Sequence, residues 1–192
     1  MKTNVSLFWF CFWTVFFNPA LVRADDTPSK IKDVTFIAKC DGTKQKYVLV
    51  YPKTFAKKRS VNVLIALHGH GSDRWQFVRQ DRPECKAVRD VANRYEMLLV
   101  SPDYRAKTSW MGPSAESDMT QIISELKKEY SVGRIFLCGA SMGGSSCLTF
   151  AVLHPDLLAG VVSMNGTANH LEYQNFQEAI NASYGGSKQE LP

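Results

Sequence analysis

Residues 135–150, IFLCGASMGGSSCLTF, limit the possible folds of this chain more than any other stretch. An apolar run of strand character ends at Cys138, and a second apolar run of helical length, 142–153, begins at Met142. Only Gly139-Ala140-Ser141 lies between them. A strand that turns so abruptly into a helix has crowded backbone, and glycine two residues before and two after the serine removes the side chains that would collide there. Such an elbow lifts the serine Oγ above the sheet and sets it at a helix N-terminus, where the helix dipole favours developing negative charge. Ser141 is therefore the candidate nucleophile. The alternative is a glycine-rich turn that only packs a helix on a sheet.

The rest of the chain supplies a frame for that elbow. Residues 34–40 and 46–51 read as two strands joined at Asp41-Gly42. Residues 61–67, VNVLIAL, form a continuous run of branched apolar residues, the pattern of a strand buried on both faces of a parallel sheet. Residues 97–100, 135–138 and 158–164 repeat it. Between these runs lie helical patterns. One is opened by Asp81 and Pro83 and carries Val88, Val91, Ala92 and Tyr95 on one face. A second spans 114–130 with Met119, Ile122, Ile123, Leu126 and Tyr130 on one face. The helix at 142–153 is apolar on most sides, and a last helix at 171–182 is closed by Gly185-Gly186. No internal repeat is visible. The expected class is α/β: a doubly wound, mostly parallel sheet with helices on both faces, whose ligands bind beyond the carboxyl ends of the strands.

The N-terminus carries a different signal. Lys2 precedes the apolar run 5–17, VSLFWFCFWTVFF; Asn18-Pro19 ends it, and Val22-Arg23-Ala24 suits a signal peptidase. The expectation is a signal peptide over 1–24, cleavage after Ala24, and a single domain over 25–192 in a secreted or periplasmic protein. The run is shorter than the roughly 20 residues that span a bilayer, so no stable membrane anchor is expected after cleavage. Net charge is +5 and the basic residues are scattered. The one cluster, Lys57-Lys58-Arg59, reads as a solvated loop, and nothing reads as a nucleic-acid surface. With Cys11 removed, Cys40, Cys85, Cys138 and Cys147 remain. An even count in an exported chain permits disulfides, while Cys138 and Cys147 in apolar runs suit small buried hydrophobes equally well. No metal-ligand spacing appears.

His68-Gly69-His70-Gly71 follows the strand at 61–67 and is the second chemical signal. Acyl transfer needs donors already aimed at the oxyanion, and backbone N–H groups serve because they are fixed beforehand. The expected pair is the N–H of Met142, directly after the serine, and the N–H of His70, with Gly71 as the second choice from this loop. Reading His68 and His70 as metal ligands is weak, since no acidic partner lies near them in sequence. Trp110 and Met111 sit in a loop above the sheet and either line a substrate pocket or pack that loop; Trp110 and Gly71 are the substrate-contact candidates. Asp118, expected in the first turn of its helix, is explained there by the helix dipole.

LIALHGHGSD, a strand ending SPD, SW-MGP before a helix, LCGASMGGSS and HPDLLAGVVSMNG together resemble the esterase branch of the α/β-hydrolase superfamily. That branch includes esterase D, feruloyl esterases and polyhydroxybutyrate depolymerases, and more distantly the catalytic domains of prolyl oligopeptidases. The resemblance covers 61–166, and its motifs are specific for the superfamily but poor at naming a substrate. It implies a Ser-Asp-His triad in that chain order, no metal, no cofactor, and a small-molecule or polymeric ester as substrate. The chain then departs from the pattern. Acid and histidine should each follow a further strand, yet after Gly186 only SKQELP remains. The expectation is a C-terminally truncated hydrolase with its last strands missing and its triad Asp and His beyond Pro192. Of the histidines present, His154 is expected to cap helix carbonyls, while His170 follows a strand on the appropriate edge and is the remaining candidate base, against the chain order in which the base comes last. Two alternatives stand beside the esterase: a prolyl-oligopeptidase-like serine peptidase, and a non-catalytic binding protein on a hydrolase scaffold, which the missing acid and base would favour.

Overall fold

The computed structural model describes residues 30–57, 59–170, 172–187 and 190. The expected signal peptide lies outside the described residues. The chain opens with a hairpin, β1 (Ile31–Ile37) and β2 (Lys44–Val50). Its turn is held by the Asp41 carboxylate, which accepts the Thr43 N–H at 3.0 Å, with Gly42 at φ +74°. β2 runs antiparallel to β4 (Leu98–Pro102), and from there β3 (Val61–Leu67), β5 (Val132–Ala140) and β6 (Gly160–Met164) are parallel. The order across the sheet is β1-β2-β4-β3-β5-β6. The chain therefore leaves β3 first to one side, for β4, and then to the other, for β5. Reversal of this kind opens a crevice at the carboxyl ends of the strands.

Helices cover both faces, because β3, β4 and β5 are apolar on both. Val63, Ile65, Leu67, Leu98, Val100 and Leu137 pack beneath α3 (Pro113–Glu129), α4 (Met142–Leu153) and α5 (Gln177–Tyr184). Leu64, Ala66, Leu99 and Cys138 pack beneath α1 (Gln76–Arg79) and α2 (Pro83–Arg94). The expected doubly wound α/β sheet with helices on both faces is what the chain forms.

Several boundaries and faces differ from expectation. The buried face of α2 is Cys85, Val88 and Ala92; Val91 and Tyr95 point outward. One turn of helix, α1, was not expected, since four residues carry no periodicity. The last helix begins at Gln177 because Phe176 takes a left-handed φ of 55°, which ends any helical run through it. Its expected end holds: Gly185, at φ 83°, sends its N–H to the Asn181 carbonyl at 2.8 Å. β6 is not buried on both faces; it closes the described sheet, with Val162 58% exposed. The C-terminal half of α4 also emerges from the core, leaving Val152 80% exposed. Cys40, Cys85, Cys138 and Cys147 are all unpaired, and the last three are buried as small core residues. Burial pushes the Cys138 thiol up to about 12.

Candidate active site

The turn from β5 to α4 is held by backbone packing. A Cβ on Gly143 would run into the carbonyl oxygens of Leu67 and His68 at the end of β3, and one on Gly139 would run into the backbone of Gly143. The two glycines thus let β5, α4 and the end of β3 close on one another. Between them Ser141 is forced to φ 56°, ψ −118°, a conformation sparsely populated by L-residues and costing on the order of 1–3 kcal/mol. Its N–H donates to the Met164 carbonyl at 2.9 Å, which ties the elbow to β6. Its side chain is exposed, and Oγ has no hydrogen-bond partner among the described residues.

This strain carries a prediction. Ser141→Gly is expected to be more stable than Ser141→Ala by about 1 kcal/mol, since both lose the hydroxyl and only glycine relieves the positive φ. Urea unfolding of the two variants checks it.

Ser141 borders a cavity of about 710 Å³. The loop after β3 contributes Gly69, His70, Gly71 and Ser72; α1, the segment after it and the first turn of α2 contribute Gln76, Gln80, Arg82 and Glu84; and Met164, Asn165 and Phe176 close the other side. All of this lies at the carboxyl ends of β3, β5 and β6. The loop after β3 is clamped to its surroundings. Gly69 N–H donates to Gln76 Oε1 at 2.9 Å, and Gly71 N–H donates to the Lys107 carbonyl at 2.8 Å. His70 N–H has no acceptor among the described residues, and neither has the N–H of Met142, the first residue of α4. Of the two loop donors considered from sequence, Gly71 is therefore engaged and His70 is open. Met142 itself is fully buried and does not line the cavity; only its position directly after Ser141 makes its N–H a candidate donor.

His68 does not reach the cavity. It is fully buried, its Nδ1 lies 2.9 Å from the Gly69 carbonyl and its Nε2 3.2 Å from the Asp103 carbonyl, and its ring packs on Tyr104. Burial holds its imidazole below the ordinary histidine value. Tyr104 in turn donates its phenol to the His68 carbonyl at 2.6 Å. His68 thus braces the loop that carries His70.

Trp110 does not line the cavity either. It is 2% exposed and packs behind the wall, with its indole Nε1–H donating to His70 Nδ1 at 3.3 Å. Asp118 lies in the second turn of α3, not the first. It is 1% exposed, and Arg105 sits 2.9 Å from its Oδ1; burial nevertheless pushes its carboxyl up to about 6. Its partner, rather than the helix dipole, accounts for it. His154 pairs with Glu116 at 2.8 Å instead of capping carbonyls. It sits at the C-terminal end of α4, roughly 20 Å from Ser141 by helix rise. His170 packs edge-on to Trp110, with ring centroids 6.0 Å apart. Among the described residues no group of three or more His, Cys, Asp or Glu stands together as a metal site.

Gln76, Gln80, Arg82, Glu84, Asn165 and Phe176 line the cavity without being marked as site residues by the sequence. Gln76 sits on the single unexpected turn of helix. Asn165, at φ 56°, follows β6, and Phe176 lay inside what reads as continuous helix. Asn165-Gly166 directly after a strand was the one available signal, since that dipeptide marks a tight turn at a strand's carboxyl end.

The sequence pattern of the alpha/beta hydrolase fold matches residues 62–192. A search of curated proteins finds no match. Among solved structures, the chain is similar to a Staphylococcus aureus fluorophosphonate-binding serine hydrolase with substrate bound, at 18% identity and a TM-score of 0.67, over 84% of this chain and 69% of that one. It is similar to a ferulic acid esterase at 24% identity and a TM-score of 0.60, over 73% of this chain and 61% of that one. It is also similar to the S-formylglutathione hydrolase of Staphylococcus aureus at 19% identity and a TM-score of 0.59, over 80% of this chain and 68% of that one. Each alignment spans only about two thirds of the neighbour's length. The pattern match over more than half of the chain, set on this sheet and this elbow, places the protein in the α/β-hydrolase family.

Proposed function

We propose that the protein is an exported serine hydrolase acting on carboxylic esters through an acyl-enzyme on Ser141. The observation that carries this reading is the strained Ser141, exposed at the N-terminus of α4 and bordering a cavity whose rim holds an open backbone donor at His70. In the first step Oγ attacks the ester carbonyl, the C–O bond to the alcohol breaks, and the serine proton passes through the base to the leaving alcohol. In the second step water releases the acid and restores the serine. The N–H groups of His70 and Met142 would hold the oxyanion in both steps.

Solved structures to which the chain is similar are named as a ferulic acid esterase and a serine hydrolase, which supports the ester class. The triad histidine and acid are proposed to come from segments beyond Pro192: His68 is walled off, His154 lies at the far end of α4, His170 packs edge-on to Trp110 without lining the cavity, and His70 keeps its Nδ1 lone pair on the Trp110 N–H. A serine peptidase shares the elbow, but no observation favours it.

The test is pre-steady-state hydrolysis of a p-nitrophenyl ester by the full-length protein. An acyl-enzyme that forms faster than it breaks down gives a burst of p-nitrophenol approaching one equivalent per protein. Absence of any turnover would instead favour a non-catalytic binding protein on this scaffold.

A further inference from the structure

His70 enters the mechanism above only through its backbone, yet its side chain is held as firmly as a working group. An indole nitrogen can only donate, so the Trp110 Nε1–H at 3.3 Å requires a lone pair on His70 Nδ1. In a neutral ring the single proton must then sit on Nε2. The ring cannot easily turn to escape this. Phe176 packs against it, with centroids 4.4 Å apart, and Trp110 is itself locked by Phe176 at 5.6 Å and Tyr173 at 5.7 Å, 2% exposed. Nδ1 is committed to the protein, which leaves Nε2–H as the one polar side-chain atom that His70 has to offer. His70 borders the same cavity as Ser141.

We propose that the His70 side chain is a neutral hydrogen-bond donor to a substrate oxygen other than the attacked carbonyl, and that Trp110 is the positioning residue that fixes its tautomer. This rests on the acyl-transfer reading of the same site and narrows it. The favoured substrates are esters with an additional acceptor oxygen near the reacting carbonyl, in the acyl or alcohol part, rather than plain aliphatic esters. The polar walls agree with that class: Gln76, Gln80 and Asn165 line the cavity beside Phe176. The same tautomer disqualifies His70 as the general base, because a protonated Nε2 has no lone pair with which to take the serine proton.

Two independent measurements test the proposal on the full-length protein. The first is the ring tautomer of His70, read by NMR from the couplings of its ring nitrogens to the carbon-bound ring protons. The native protein should show the Nε2–H form, and Trp110→Phe, which keeps an aromatic ring but loses the donor, should show a mixture. An Nδ1–H ring in the native protein, or a tautomer unmoved in W110F, overturns the role of Trp110. The second is kcat/KM for p-nitrophenyl methoxyacetate against p-nitrophenyl butanoate, acyl groups of equal length that differ by one oxygen. His70→Ala should lower the ratio of the two by about tenfold, the worth of one hydrogen bond, and His70→Gln, which returns an N–H donor, should recover part of it. A ratio unmoved in H70A while both esters still turn over overturns the substrate contact and leaves acyl transfer standing. No turnover of either ester by the native protein overturns acyl transfer and the substrate contact together, while the tautomer measurement remains decisive for Trp110.

Discussion

Ser141→Ala is expected to lower kcat/KM toward a short p-nitrophenyl ester by a factor on the order of 10⁴ or more, with the fold intact. The size follows from the role: without the nucleophile no acyl-enzyme forms, and what survives is only what preorganised donors and binding lend to attack by water, typically about 10³-fold over the uncatalysed rate. The sparing of the fold follows from position. Ser141 is exposed and its Oγ holds no hydrogen bond to any described residue, so alanine removes no packing and leaves no buried group unpaired. A midpoint within about 2 °C of the native protein is therefore expected, as for an exposed site outside any network. Activity and thermal unfolding measured on the same preparation separate the two effects. Near-native turnover by the variant would remove Ser141 from the chemistry.

Gly143→Ala is expected to fail in the opposite way, by losing the fold first. The added Cβ would collide with the Leu67 carbonyl and approach the His68 carbonyl at 2.7 Å. Both obstacles are backbone at the end of the central strand β3, so no rotamer change relieves them. Either α4 moves away from the sheet or the loop carrying His70 does, and overpacking of this kind costs about 3 kcal/mol, lowering Tm by roughly 10 °C in a domain of this size. Gly42→Ala is the control. Gly42 has φ +74° but open space where its Cβ would go, so only backbone strain of about 1 kcal/mol is expected there. A Gly143→Ala variant no less stable than Gly42→Ala would show that contact between the elbow and β3 is not what requires glycine.

How far the sequence could be read depended on whether a feature was local. The elbow was legible because its cause is local: a strand, a serine between two glycines, and a helix with no room for a linker. The buried strands were legible because two apolar faces leave continuous runs such as VNVLIAL. The edge position of β6 was not, since its residues read like those of a buried strand and only the order of the sheet places it last. From sequence Trp110 reads equally as a pocket residue or a packing residue; the indole packs, and its influence on the cavity passes through His70, 40 positions earlier in the chain. The partner of Asp118, Arg105, sits on a loop whose path the sequence does not disclose, so from sequence the helix dipole alone explains the carboxylate. The open N–H of His70 and the engaged N–H of Gly71 are neighbours in sequence, and only the carbonyl of Lys107 separates their roles.

The reactivity of Ser141 as a nucleophile is read by treating the native full-length protein with a fluorophosphonate probe and locating the adduct by peptide mass spectrometry. Phosphonylation of an activated serine displaces fluoride and leaves a stable bond to Oγ, whereas an ordinary serine, protonated and without a base, does not react at a comparable rate. A single adduct is expected, on Ser141, and none in Ser141→Ala. An unlabelled native protein, or a label on any other residue, would contradict it.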